Sequence, residues 1–159
     1  MGKVVFSRID FRLIHGQVVT KWIKQYPANT IAIINDTLAE NDFLAEIYEM
    51  AAPSDVEVVI LKEDEAKAKL DAIKGDVFVL FKDVATAAAA ADAGVAFEKL
   101  VVGGVPKVDD KKMVTKAVYL DATDVEQLKA IAAHGIEVTC QAIPEDKPLK
   151  LADLVKEFS

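Results

Sequence analysis

"KVVFSRIDFRLIHGQVVTKWIKQYP", residues 3–27, opens as an apolar, β-branched run and closes as an amphipathic helix. Its hydrophobic period changes from two to 3.6 partway through. "KVVFSRI" reads as a strand. From Gly16 onward, Val18, Val19, Trp22, Ile23 and Tyr26 share one helical face, and Pro27 stops the helix. A strand that runs through a short loop into a helix is the first half of a strand–helix–strand unit. "TIAII", residues 30–34, supplies the returning strand.

The same alternation continues along the chain. Residues 41–52 read as a helix capped by Asn41 that packs through Phe43, Leu44, Ile47 and Met50. "VEVVIL" is a third strand, followed by a charged helix over 63–74 with Ala66, Leu70 and Ile73 inward. "DVFVLF" is the fourth, and an alanine-rich helix then runs to Gly94, its C-terminal cap. "KLVV" and "AVYL" are a fifth and a sixth strand. "TDVEQLKAIAAHG" is a helix with Thr123 as N-cap and Glu126 completing a capping box. "IEVTCQAI" is the last strand and "LKLADLVKEF" a closing helix. The pattern predicts an α/β fold, a single-domain, doubly wound, mostly parallel sheet of about seven strands with helices on both faces. Ligands of such sheets bind beyond the carboxyl ends of the strands, which is where residues 10–16 fall.

Composition narrows the function classes. A chain of 159 residues, 52% apolar and 28% charged, suits one globular domain with a real core. A net charge of −7 disfavours nucleic acid and anionic lipid as partners. One cysteine forbids an internal disulfide and matches a reducing compartment. No apolar run reaches the roughly 18 residues of a membrane span. "MGKVVF" is neither a secretory signal nor a myristoylation site, since Phe6 stands where Ser or Thr is required. A cytoplasmic protein is expected, and the clean start at Met1 points to a separate polypeptide.

The chemistry concentrates in residues 8–17. Of nineteen basic residues only Arg8 and Arg12 are arginines, and both lie within seven positions of His15. The planar guanidinium fork grips phosphate or carboxylate through paired hydrogen bonds that lysine cannot make. His15 sits at the start of the first helix, where free N–H groups and the dipole favour an anion and disfavour imidazolium. Gly16 lets backbone approach a bound oxyanion closely. Together these make an anion cradle around a nucleophilic imidazole, the apparatus for taking up and releasing a phosphoryl group. The bland alternatives are a structural histidine and an Arg8–Asp10 pair on one strand face.

"RIDFRLIHGQV" resembles the active-site segment of the IIB subunits of the mannose–fructose–sorbose family of the bacterial phosphoenolpyruvate-dependent sugar phosphotransferase system, the PTS. The similarity spans essentially the entire chain, through "NDTLAEND", "AAPSDVEVVILKEDEA", "FKDVATAAAAADAGV", "LVVGGVP" and "KAVYLDATDVEQLKAIAAHGIEVTCQAIPED". One position departs: relatives often carry a second acidic residue where Phe11 stands. The resemblance implies that residues 1–159 form a single IIB domain of mannose/sorbose type, acting as a transferase in a multi-subunit complex. It implies that His15 takes a phosphoryl group from a phosphohistidine on a IIA subunit, generally at the δ1 nitrogen. The group then passes to a sugar held by the membrane subunits IIC and IID, of the mannose, fructose, sorbose or N-acetyl amino sugar class. In this frame Arg12 holds the phosphoryl oxygens, Arg8 adds positive field and Asp10 orients the loop. Gly16 and Gln17 donate backbone N–H groups. Neither metal nor other cofactor is required, and association with the membrane is transient. A homo-oligomer stays open.

Other residues carry competing readings. Asp36 ends the second strand and Lys82 the fourth, so a receiver-like regulator phosphorylated on Asp36 with Lys82 as partner cation is the rival, against a cap or turn role for Asp36. The chain has no early acidic pair for Mg²⁺, which argues against a receiver. Gly103 and Gly104 either turn the chain after the fifth strand or line the rim of the site; a nucleotide-binding module would rest on them alone. His134 is expected at a helix end, Cys140 as an inert buried thiol and Trp22 in the core. Of Phe11, Leu13 and Ile14, some pack inward to hold the loop, and any left exposed would serve partner docking.

Overall fold

The computed structural model describes the backbone of residues 2–158; the side chains of residues 2 and 16–18, Val18 among them, lie outside that description. The chain runs β1 (Gly2–Asp10), α1 (Gly16–Gln25), β2 (Thr30–Ile34), α2 (Asp36–Ala39), α3 (Asp42–Ala51), β3 (Glu57–Leu61), α4 (Ala66–Ala72) and β4 (Gly75–Phe81). It continues through α5 (Val84–Asp92), β5 (Lys99–Gly104), β6 (Lys112–Thr115), β7 (Val118–Leu120), α6 (Ala122–Ala132), β8 (Glu137–Cys140), β9 (Leu149–Lys150) and α7 (Leu151–Lys156). The main sheet has seven strands in the order β3-β2-β4-β1-β5-β8-β9. All neighbours are parallel except β8 and β9.

Two cores flank the sheet. On one face Val19 and Trp22 of α1 and Leu38 of α2 pack with Phe6, Ile31, Ile33, Phe78, Leu80 and Val101, with Leu44 and Tyr48 of α3 at the margin. On the other, α4 to α7 pack on Ile9, Ala32, Ile34, Val77, Val79 and Phe81. Each central strand therefore reads as a continuous apolar run, as a parallel sheet buried on both faces requires. β1 and β4 are neighbours whose following helices, α1 and α5, lie on opposite faces. Such a divergence opens a crevice at the strands' carboxyl ends. An open cavity of ≈ 350 Å³ is found there, lined in part by Phe11, Lys82, Val105, Pro106 and Lys111.

Several local expectations need correction. On α3, Phe43, Ile47 and Met50 are exposed rather than packed, at 72%, 46% and 85%. This helix covers the margin of the sheet beside the edge strand β3, where only Leu44 and Tyr48 find core to bury in. Helix α6 is capped by Asp121, not Thr123: Asp121 Oδ1 accepts from Asp124 N at 2.8 Å, and Asp124 Oδ2 from Asp121 N at 3.1 Å. A carboxylate is favoured over a hydroxyl at a helix N-terminus because it also meets the dipole. "AVYL" does form a strand, β7, but it pairs antiparallel with β6 in a separate hairpin. Val118 and Leu120 are buried, so the apolar alternation was a true signal of burial and carried no information about the partner. The seventh strand of the main sheet is β9 instead.

Cys140 is buried on β8, and burial pushes its thiol up to about 12. The thiolate is thus inaccessible at neutral pH. Gly94 follows α5 in the left-handed region, φ +88°, as a helix-terminating glycine does. His134 lies past α6 and meets Asp92 Oδ1 at 3.0 Å, tying the ends of α5 and α6 together on the surface.

Candidate active site

The site is built on the last turn of backbone in β1 and the loop that carries it into α1. Strand alternation places Phe6 and Arg8 on the α1 face, where both meet Trp22, and Asp10 continues that row. After Asp10 the chain makes one further ladder bond, Phe11 N to Gly104 O at 3.0 Å, and then turns, Leu13 N donating to Asp10 O at 2.9 Å. Leu13 adopts φ +57°, a left-handed conformation that costs a branched residue on the order of 1 kcal/mol. The burial of Leu13 and Ile14, at 0% and 4% exposure, holds the loop in that shape. Sequence reasoning left open which apolar residues anchor the loop. Leu13 and Ile14 do, while Phe11 stays partly exposed beneath Arg12, whose Cζ lies 5.4 Å from the ring.

His15 is the residue immediately before α1, with extended backbone at φ −151°, ψ 136° and no side-chain capping bond. Its side chain is 19% exposed. Nε2 lies 2.9 Å from Asp10 Oδ2. A carboxylate can only accept, so the neutral ring must carry its proton on Nε2. Nδ1, with the remaining lone pair, has no partner among the described residues.

Asp10 is fully buried and is the hub of the loop. Oδ1 accepts from the backbone N of Arg12 at 3.0 Å and faces Arg12 Nε at 3.6 Å. Oδ2 takes His15 and, at 3.4 Å, Arg8 Nη2. Behind it Arg8 is also fully buried, donating from Nη1 to Gln141 O at 3.0 Å and from Nη2 to Ala142 O at 2.7 Å. Burial lowers the Arg8 pKa to about 10 against the pull of Asp10, which leaves the guanidinium charged at neutral pH. Trp22 closes the network from α1, its Nε1 donating to the same Ala142 O at 3.1 Å.

A family model for the PTS system sorbose subfamily IIB component matches residues 4–159. The chain belongs to that family. Among its relatives, the sorbose-specific EIIB component of Klebsiella pneumoniae is 29% identical over 98% of this chain and 96% of that protein. The mannose-specific EIIAB component of Escherichia coli K12 is 31% identical over 96% of this chain, which spans 48% of that longer protein. The crystal structure of manxB from Thermoanaerobacter tengcongensis superposes with a TM-score of 0.93 at 36% identity, covering 99% of this chain and 98% of that one. The fold is thus that of known IIB domains, and among the described residues no helix is long and apolar enough to cross a membrane.

Within this IIB component the residues singled out from sequence separate into three groups. Asp10, Arg12 and His15 come together around the Asp10 carboxylate, in the loop whose Phe11 lines the crevice, with Gly16 and Gln17 opening α1 beside them; the Gln17 side chain lies outside the described residues. Arg8 belongs to the same network but faces inward. With its terminal nitrogens committed and no exposed surface, it has no donor left for direct contact with a bound phosphoryl group, and the positive field expected of it would act from behind Asp10. Gly103 and Gly104 do not turn the chain: both lie in β5, directly behind Arg8 and Asp10. Asp36 stands apart. Its Oδ1 accepts from Glu63 N at 2.8 Å, joining the ends of β2 and β3, and its charge, after burial, helps raise the Glu63 carboxyl above the usual range. The cap of α2 is the neighbouring Asn35, so Asp36 serves as a tie between two loops rather than as a cap or turn, and with the IIB family established the receiver-like reading falls away. The carbonyls of Gln141 and Ala142 and the indole of Trp22 were not foreseen as site residues. Backbone carbonyls leave no mark in a sequence, and Trp22 reads simply as core.

Proposed function

We propose that this IIB component is a phosphoryl carrier of a sugar-transporting PTS, with Nδ1 of His15 as the acceptor atom. The observation that carries the reading is the 2.9 Å contact of His15 Nε2 with buried Asp10, which leaves the Nδ1 lone pair unengaged at the N-terminus of α1. A phosphohistidine on a IIA subunit docks over the crevice, and Nδ1 attacks phosphorus in line as the donor's N–P bond breaks. The ring gains positive character as the new N–P bond forms, and the Asp10 carboxylate against Nε2–H offsets it. Arg12, 46% exposed at the mouth, closes its fork on the equatorial oxygens, and the first N–H groups of α1 point at the same charge. In the second step a sugar hydroxyl, presented by membrane subunits IIC and IID, attacks phosphorus and gives its proton to a base or water beside the sugar, while the N–P bond to His15 breaks and returns the ring neutral, protonated on Nε2. The E. coli EIIAB relative, mannose-specific by name, supports a IIA partner and a sugar of the mannose–sorbose class.

Incubation with phosphorylated IIA followed by peptide mass mapping tests this. The phosphate should sit on His15, be lost in mild acid and resist hydroxylamine. A hydroxylamine-sensitive phosphate on an aspartate would defeat the proposal. Arg12→Lys keeps the charge but loses the fork, so the transfer rate should fall at least about tenfold, or ~1.4 kcal/mol of transition-state stabilisation. Unchanged quench-flow rates would confine Arg12 to shaping the loop.

A further inference from the structure

We propose that Arg8 is a positioning residue for phosphoryl transfer, and that Gly103 and Gly104 are glycines because they seat Arg8 and Asp10. The inference rests on the reading of His15 as the phosphoryl acceptor and adds what holds its ring. A fully buried guanidinium is costly, and a core position on β1 facing Trp22 would ordinarily take an apolar side chain. Here the guanidinium is held from three sides. Its terminal nitrogens bond the carbonyls of Gln141 and Ala142, it lies 5.1 Å from the centre of the Trp22 ring, and it faces Asp10 Oδ2. The fourth side is β5, and there is no room on it. A Cβ on Gly103 would collide with Cζ and both Nη atoms of Arg8. One on Gly104 would stand 2.7 Å from Asp10 Oδ1 and 3.0 Å from its Cγ, which real Cβ atoms tolerate only if the carboxylate turns.

The consequence reaches His15 through a single carboxylate. Asp10 is fixed in rotation because Oδ1 is held by the Arg12 amide and Oδ2 by Arg8. Oδ2 then presents the acceptor that keeps the His15 proton on Nε2 and the lone pair on Nδ1. Loss of Arg8, or a side chain at 103 or 104, frees the carboxylate to rotate and releases the ring to share its proton between both nitrogens. Arg8 never touches the transferred group, so donor docking should be spared while the chemical step suffers.

The test uses ¹⁵N-histidine NMR and transfer kinetics on the full chain, comparing wild type, Gly104→Ala, Gly103→Ala and Arg8→Lys. His134, on the surface with Asp92, is the internal control. Wild-type His15 should show one neutral tautomer, protonated on Nε2. The variants should show Nδ1–H character at His15 and none of it newly at His134. Their kcat for transfer from phospho-IIA should fall at least tenfold with KM within twofold. Should Gly103→Ala fail to fold, Gly104→Ala and Arg8→Lys decide the matter. A wild-type tautomer that persists in the folded variants, or a tautomer change with unaltered kcat, overturns the proposal. Wild-type labelling on a residue other than His15 overturns the carrier reading instead, whatever the tautomers do.

Discussion

His15→Ala abolishes phosphoryl labelling from phosphorylated IIA while the protein stays folded. The loss is complete because the one other nucleophile beside the ring, the Asp10 carboxylate, is fully buried and held by the Arg12 amide and Arg8. Arg8 and Arg12 are not nucleophilic, and the other histidine, His134, is on α6's far end with Asp92. Stability changes little, since His15 makes no capping bond and its ring is partly exposed. It gives up one hydrogen bond, worth about 1 kcal/mol, or a melting temperature roughly 2–4 °C lower for a chain of this size. Label incorporation and a thermal melt on the same preparation read both quantities. Residual labelling at more than a per cent of the wild-type rate would place the acceptor elsewhere.

Asp10→Asn has the second large effect, on stability and on transfer together. The side chain keeps its shape but exchanges one acceptor oxygen for an NH₂ group. Three of the groups around it are donors: the Arg12 amide, His15 Nε2 and Arg8 Nη2. One of them must therefore face another donor. The buried Arg8 loses its only counter-charge within bonding distance among the described residues, and breaking a buried pair from one side costs about 3–5 kcal/mol. The melting temperature should drop by roughly 6–20 °C. Below the melt, transfer should fall at least about a hundredfold, because the carboxylate that offsets charge on the ring is gone. Circular dichroism against temperature, with quench-flow transfer at 15 °C or lower, measures both. A variant that melts within 2 °C of wild type would show that Arg8 does not depend on Asp10.

The divergent helix placement around β1 and β4 explains why a loop of five residues, 11–15, can serve as a site at all. Leu13 and Ile14 reach into the core on the α1 face, so the loop is a rigid extension of the scaffold rather than a free connection. The exposed stripe of Phe43, Ile47 and Met50 on α3 follows from the same layout. A helix over the edge of a sheet has core on one side only, yet its residue periodicity looks like that of any buried helix.

What the sequence by itself determined is local. The change of period across residues 3–27, the turn and cap residues, and the clustering of both arginines beside a histidine are all encoded by near neighbours. They were enough for the α/β class and most of the strand–helix order, and they single out His15 as the candidate centre. What only the tertiary structure decided is long-range. Arg8 faces inward because carbonyls from residues 141 and 142 arrive to meet it, and Gly103 and Gly104 stay within β5 because that guanidinium and the Asp10 carboxylate occupy the space where side chains would be. The choice of β9 over β7 as the seventh strand of the main sheet is also a tertiary outcome, though β9 lies only nine to eleven positions from its partners in β8. Period and propensity act over a few residues, whereas the carbonyls that receive a buried guanidinium come from more than a hundred positions away, as between Arg8 and Ala142.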